Sequence, residues 1–357
     1  MGLVERAVAQ PDLSVSPLSW LKGEIDVSLA AVRENLALAA TRAGGTQELA
    51  ACATHLRQVR GALQMLGFDG ATRFCEVLED TVKSFEDGGT SLTNNAVAVV
   101  DRSVFALGQF LDELSKGELN VPLKLFPVYR ELNELLSKQG VTERDLFFPD
   151  MKPVAPAHPA PQVLSGADLV KFVTAHRALY QRGLLAWLQT GNNRDGLTKM
   201  HGAMESLRQV AAQIPGTQSL WWIATAFIEA LAQTKPDWSA QFKPFVSRID
   251  RFMREWVDGR APDPAPLVRD LLYALAHAEP VTKRIRELKA LYQIDSQLPA
   301  YGLDGMLEFD LPRLQPVLDD MKSLLTALED SWAKYTSGEP HTLAKFREQS
   351  VRFQNLA

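Results

Sequence analysis

Few residues in this chain are able to do chemistry. Of its six histidines, no two stand at metal-ligand spacing, and no carboxylates converge on them along the sequence. In the contexts HRALY at His176, HGAME at His201 and HAEPV at His277, no glycine stands four residues after the histidine. The two cysteines, Cys52 and Cys75, fall on or beside apolar stripes. They read as small core side chains, not as a disulfide or a metal pair. The chain has no glycine loop built to grip phosphate, no G-x-S-x-G and no kinase nucleotide motif. It therefore reads as a protein without catalytic residues, metal or cofactor. The feature that stands out is cationic: Arg57, Arg60, Gly61 and Gln64 share one face of a helix, with an arginine directly before a bare glycine.

The element that must position this face runs from Thr46 to Glu79. Leu49, Cys52, Leu56, Val59, Leu63 and Leu66 recur at alternating steps of three and four, one continuous stripe down a helix. The opposite face carries Ala53, Arg57, Arg60, Gly61 and Gln64. Gly67 predicts the helix end and Asp69 the cap of the next helix, on which Phe74, Leu78, Thr81 and Phe85 continue the stripe. A glycine inside a helix costs roughly 1 kcal/mol against alanine, so Gly61 marks a place where something must come close. His55 lies about 200° from Arg57 around the helix at 3.6 residues per turn. It borders the buried stripe, and a flanking structural role outweighs that of a nucleophile on the open face. Arg57 cannot be a nucleophile either: a guanidinium has five donors, no lone pair, and stays protonated.

Around this hairpin the pattern predicts helices almost throughout. Met1 to Asp12 reads as a loose tail. Ser16-Pro17 opens a helix through Leu18, Leu21, Ile25, Leu29, Val32 and Leu36 to a stop at Gly44-Gly45. After Gly88-Gly89 a fourth helix is predicted from Thr93 to Lys116, and the short loops favour an antiparallel four-helix bundle. A fifth, from Leu123 to Lys138, flanks it. Residues 148–165, FPDMKPVAPAHPAPQVLS, are rich in proline and predict an extended spacer. Beyond it come Ala167 to Gln189, a GNNRDG turn, Gly196 to Gln213, and the nearly all-apolar SLWWIATAFIEALAQ. A segment from Pro236 to Asp258 follows, with Pro244 read as a helix start. Leu267 to Ala278, Val281 to Leu291, Leu311 to Lys334 and Thr342 to Asn355 complete the set. Trp187, Trp221, Trp222, Trp238 and Trp256 stand at helical spacing among aliphatic residues and read as core rather than as a ligand box.

Composition agrees with an all-α protein: 357 residues, rich in helix formers, with a net charge of −5 and both signs interspersed. No basic tract points to nucleic acid. No apolar run of 18 residues or more points to membrane insertion, and no signal peptide is visible. The last residues fall inside a helical pattern without a cap, as expected for a piece of a longer chain.

The hairpin resembles the active hairpin of histidine-phosphotransfer (Hpt) domains, whose motif is His-x-x-(Lys/Arg)-Gly. Arg60-Gly61 match its last two positions, and Arg57 stands where the phospho-accepting histidine belongs. The stretch PLSWLKGEIDVSLAAV, the hairpin LRQVRGALQMLGFDGATRFCEVLE, and then HRALYQRGLLAWLQ, LWWIATAFIEAL and RDLLYALA in that order extend the likeness. In this order they are similar to the FimL family and to the N-terminal region of ChpA-type, CheA-like kinases of the chemotaxis-like system controlling type IV pili and twitching motility. The resemblance implies an Hpt-like bundle over residues 1–147 without its histidine, a linker over 148–165 and a second all-helical domain over 166–357. It also implies a cytoplasmic scaffold associated with pilus polarity. Its partners would be response-regulator receiver domains or pilus and polarity proteins, bound through Arg57, Arg60, Gly61 and Gln64. Two other readings stay open: the N-terminal regulatory part of a ChpA-type kinase whose active Hpt and kinase modules lie downstream, and a plain helical scaffold.

Overall fold

The computed structural model describes residues 15–41, 45–190, 194–233, 236–299, 323–332, 334, 345–347 and 350. Every regular element among them is an α- or 3-10 helix. The first group comprises α1 (Val15–Thr41), α2 (Thr46–Met65), α3 (Asp69–Glu86), α4 (Asn94–Ser115) and α5 (Phe126–Leu135). α1 packs on α2 and α4, α2 packs on α3, and α5 covers α3 and α4. The predicted stripe supplies the core: Leu49, Cys52, Leu56, Val59 and Leu63 are buried, as are Phe74, Leu78, Thr81 and Phe85.

The turn between α2 and α3 fixes how their faces meet. Gly67 adopts φ +72°, a conformation a side chain would resist. Around it Gly67 N–H donates to Gln64 O at 3.1 Å and Phe68 N–H to Leu63 O at 3.0 Å, the paired closure of a Schellman end. Phe68, buried, takes the cap position of α3 with no side-chain cap bond, so Asp69 is the first helical residue and not the cap. The apolar contact that seats Phe68 outweighs what a carboxylate cap would add here. Ala53 also departs from expectation: it is buried and belongs to the core face, because a methyl group fits where α2 meets its neighbours.

The second group comprises α6 (Gly166–Thr190), α7 (Arg194–Gln209), α8 (Thr217–Leu231), α9 (Pro236–Val257), α10 (Ala265–Ala276) and α11 (Lys283–Tyr292). α8 is buried nearly all round, as its apolar sequence requires. Trp187, Trp221 and Trp222 are core residues and Trp256 is partly buried against the core; the Trp238 side chain lies outside the described residues. α6 and α7 cross at glycines: a Cβ on Gly183 would stand 2.5 Å from Gly196 O, and one on Gly196 would stand 2.6 Å from Gly183 O. Pro244 does not start a helix. It lies inside α9, where the loss of one N–H and a steric clash is a destabilisation of about 3 kcal/mol. Phe242, Phe245 and Val246, all buried, hold the helix in place on either side. The helices predicted at Leu311–Lys334 and Thr342–Asn355 lie largely outside the described residues, those described there being helical.

Residues 148–165 take no helix, and their backbone is fastened to the second group. Gln218 Nε2 donates to Ala155 O at 2.7 Å, and Gln162 N–H donates to Gln209 O at 2.8 Å. Leu164 exchanges two hydrogen bonds with the Gln213 amide at 3.0 and 2.9 Å. Just before this segment, a 3-10 turn at Glu143–Leu146 bridges the groups. Phe147 packs edge-on to Tyr273 with ring centroids 5.4 Å apart, and Tyr273 O–H donates to Glu143 at 3.3 Å. The Arg269 guanidinium lies 4.6 Å over the Phe148 ring. Among the described residues no helix is long and apolar enough to cross a membrane.

Candidate functional site

α2 and α3 meet at a buried carboxylate. Glu79 sits among the apolar side chains of α3, one turn after Cys75 and next to Leu78, and its side chain is 2 % exposed. Three cations enclose it. Arg60 Nε lies 3.1 Å from Oε2, Arg57 Nε lies 3.5 Å from Oε1, and Lys83 Nζ lies 2.6 Å from the same Oε1. A carboxylate this deep is tolerated only with such partners. The arginines come from α2 and are three residues apart, while the lysine is one turn beyond Glu79 on α3. Their outer parts reach solvent, with side-chain exposures of 56 % for Arg57, 36 % for Arg60 and 42 % for Lys83.

The predicted residues thus share one face, but with an arrangement that sequence alone does not reveal. Nε is the guanidinium nitrogen nearest Glu79 in both Arg57 and Arg60, but neither Glu79 oxygen takes a hydrogen bond, so these are ion pairs only. Gly61 lies beside Arg60, and a Cβ built there would meet nothing within 4 Å. No neighbour among the described residues needs its lack of a side chain. Gln64 is exposed one turn on. Nearby acids are engaged elsewhere: Glu76 with Arg73 at 3.1 Å and Asp80 with Lys138 at 3.2 Å. Three cations therefore surround one carboxylate, a formal surplus of two positive charges. His55 is half-buried on the flank of α2. Beneath the site Cys75 is buried and its Sγ lies 3.4 Å from Leu56 O, while Cys52 bonds Val32 O at 3.3 Å. Burial pushes the Cys52 thiol up to about 12 and raises Cys75 further, so neither is a thiolate at neutral pH.

Two other charge clusters lie in the second group, and the sequence pattern did not announce them. Glu229 receives Arg284 Nε at 2.9 Å, His201 Nε2 at 3.3 Å and the Thr282 hydroxyl at 2.7 Å. Glu205 takes Arg208 at 2.7 Å, the other side of Arg284 at 3.1 Å and His158 at 3.6 Å. Carboxylates and histidines do converge here, contrary to the sequence expectation; His201 and Glu205 lie one turn apart in HGAME, the available hint. Burial alone would raise the Glu229 pKa. Hydrogen bonds from His201 and Thr282 and the charge of Arg284 outweigh it, so the pKa is lowered. Clefts of about 490 and 470 Å³ flank Glu229, and the charges between them are ion-paired with one another, although Glu205 Oε2 and Arg284 Nη1 lack a hydrogen bond. No metal-holding group of three or more His, Cys, Asp or Glu exists among the described residues. The remaining cluster lies at the seam. Asp270 on α10, 4 % exposed, pairs with Arg248 of α9 and with Arg144 of the 143–146 turn at 3.5 Å.

Residues 165–303 match the family model described as the second domain of the FimL scaffold protein. No curated protein and no solved structure matches the chain. The match spans α6 to α11, the group of helices that holds the Asp270 and Glu229 clusters, and makes that part of the chain similar to the second domain of the FimL scaffold protein.

Proposed function

We propose that this FimL-type scaffold is a pseudo-phosphotransfer protein of a chemotaxis-like phosphorelay that controls type IV pili and twitching motility. Its first group of helices keeps the docking shape of an Hpt bundle without the accepting histidine, and engages receiver domains or pilus and polarity proteins as a cytoplasmic binding platform. The observation that carries the reading is the α2–α3 face. Arg57 stands in the acceptor's place and is held by buried Glu79, with Arg60 against the same carboxylate and open space over Gly61. An arginine fixed in this way supplies charge and donors but no nucleophile.

The test is titration of the full chain against a receiver domain that it binds. Gly61→Arg, which points into open space, is expected to weaken binding at least tenfold with the helical circular dichroism unchanged. Unchanged affinity in the folded variant would place docking elsewhere. A phosphoryl donor should leave no acid-labile phosphohistidine on the chain. Label that disappears in His55→Ala would overturn the pseudo-phosphotransfer assignment.

A further inference from the structure

Resting on this docking reading, we infer that the α2–α3 face recognises the phosphorylated form of its receiver partner, through a cationic seat that Arg57, Arg60 and Lys83 form around buried Glu79. The argument begins from charge. Three cations around one carboxylate leave a surplus of two, and Arg57 and Lys83 both lie against the same oxygen of Glu79. Like charges held this closely repel one another, and the acids on neighbouring turns are already paired. A phosphoryl group carries about −1.5 to −2 charge near neutral pH and three strong acceptor oxygens, so it matches the surplus in sign and in size.

Geometry narrows the choice from any acidic surface to an oxyanion. In each arginine Nε is the nitrogen nearest the carboxylate, yet neither Glu79 oxygen takes a hydrogen bond, so the guanidinium donors are not used up by Glu79. Among the described residues neither arginine has another ion pair. Paired terminal nitrogens on a planar guanidinium suit two oxygens of one tetrahedral anion. Gly61, with nothing within 4 Å of its missing Cβ, lets a partner's loop approach the helix beside this seat. Glu79 is a positioning residue: it pairs with both guanidiniums so that their donors are presented together. The face thus reads a phosphoryl group that it cannot accept.

The experiment titrates the full chain with a receiver domain in its free form and as its beryllofluoride complex, a stable mimic of the aspartyl phosphate. The expected result is at least tenfold tighter binding of the beryllofluoride form. In the Arg57→Gln/Arg60→Gln chain this preference should fall below twofold, because the beryllofluoride form loses more affinity than the free receiver does. Lys83→Gln, on the opposite helix, should give an intermediate preference. Equal affinity of the two forms for the unaltered chain overturns the inference and leaves the docking reading standing. A preference that survives the double substitution in a folded protein overturns it as well. Absence of binding by either form overturns both the inference and the docking reading beneath it.

Discussion

Glu79 and Asp270 are both carboxylates buried in helices that pack in a core, and both gather arginines, yet they differ in where those arginines come from. Around Asp270 the cations arrive from α9 and from the 143–146 turn, so the pairing ties the second group of helices to the end of the first. Around Glu79 the cations arrive from α2 and from α3 itself, helices that their apolar stripes already hold together. Among the described residues nothing lies within 4 Å of a Cβ built on Gly61, beside that cluster. A buried charge is an expensive way to join surfaces that hydrophobic packing joins anyway. The Asp270 cluster is explained by the contact it makes inside the molecule. The Glu79 cluster makes no such tie, and we propose that what it serves lies outside the chain.

The comparison can be broken by removing each carboxylate in turn. Asp270→Ala strips the partner from Arg144 and Arg248 at the seam, and loss of one member of a buried pair is a destabilisation of about 3–5 kcal/mol. Urea unfolding should show this as the largest effect, and limited proteolysis should show faster cutting within residues 148–165. The glycine crossing of α6 and α7 comes next. Gly196→Ala would put a methyl 2.6 Å from Gly183 O and 3.0 Å from Trp187 N, and overpacking of this kind amounts to about 1–3 kcal/mol. Glu79→Ala should fall below both, at about 1 kcal/mol. It too leaves cations without a partner, but Arg57 and Lys83 are the more exposed, whereas Arg144 and Arg248 both lie over the Phe245 ring. A Glu79→Ala loss equal to that of Asp270→Ala would erase the distinction between an internal tie and an outward display.

How much of this was legible in the sequence follows from how far each feature reaches across the fold. Arg57, Arg60, Gly61 and Gln64 could be placed on one face because they lie on one helix, where 3.6-residue periodicity suffices. The buried stripe of α2 was readable for the same reason. Ala53 was misplaced because alanine suits either face and carries little pattern. Glu79 could have been noticed: it lies one turn after Cys75 and one residue after Leu78, on the buried side of α3. An isolated acid there has to find cations, but which ones depends on the rotation of α3 against α2, set by the Gly67 turn. Asp270 shows the same anomaly inside the apolar run LVRDLLYALA. Its partner Arg144 is 126 residues away in the chain, and no local rule connects them. Pro244 was misread because local chemistry disfavours it inside a helix, while burial of Phe242, Phe245 and Val246 decides otherwise. The proline-rich stretch was recognisable as non-helical, but its hydrogen bonds to Gln209, Gln213 and Gln218 were not, because they are made by backbone groups that every sequence carries.

The smallest effect is the most discriminating. Gly61 and Gly196 are both glycines inside helices, and each gives up roughly 0.5–1 kcal/mol of helix stability against alanine. At Gly196 the reason is visible, because a neighbouring backbone occupies the space. At Gly61 a Cβ would meet nothing within 4 Å, so nothing among the described residues requires the glycine. Gly61→Ala should therefore stabilise the protein by about 0.5–1 kcal/mol, opposite in sign to Gly196→Ala, as urea unfolding of the full chain can measure. If the glycine is kept for a partner, the more stable variant should also bind the receiver less well, since even a methyl group narrows the approach beside Arg60. A gain in stability with full binding would mean that the partner does not come down to the helix at this point. A loss of stability would mean that the helix needs its glycine for itself, and the contrast between the two positions would fall.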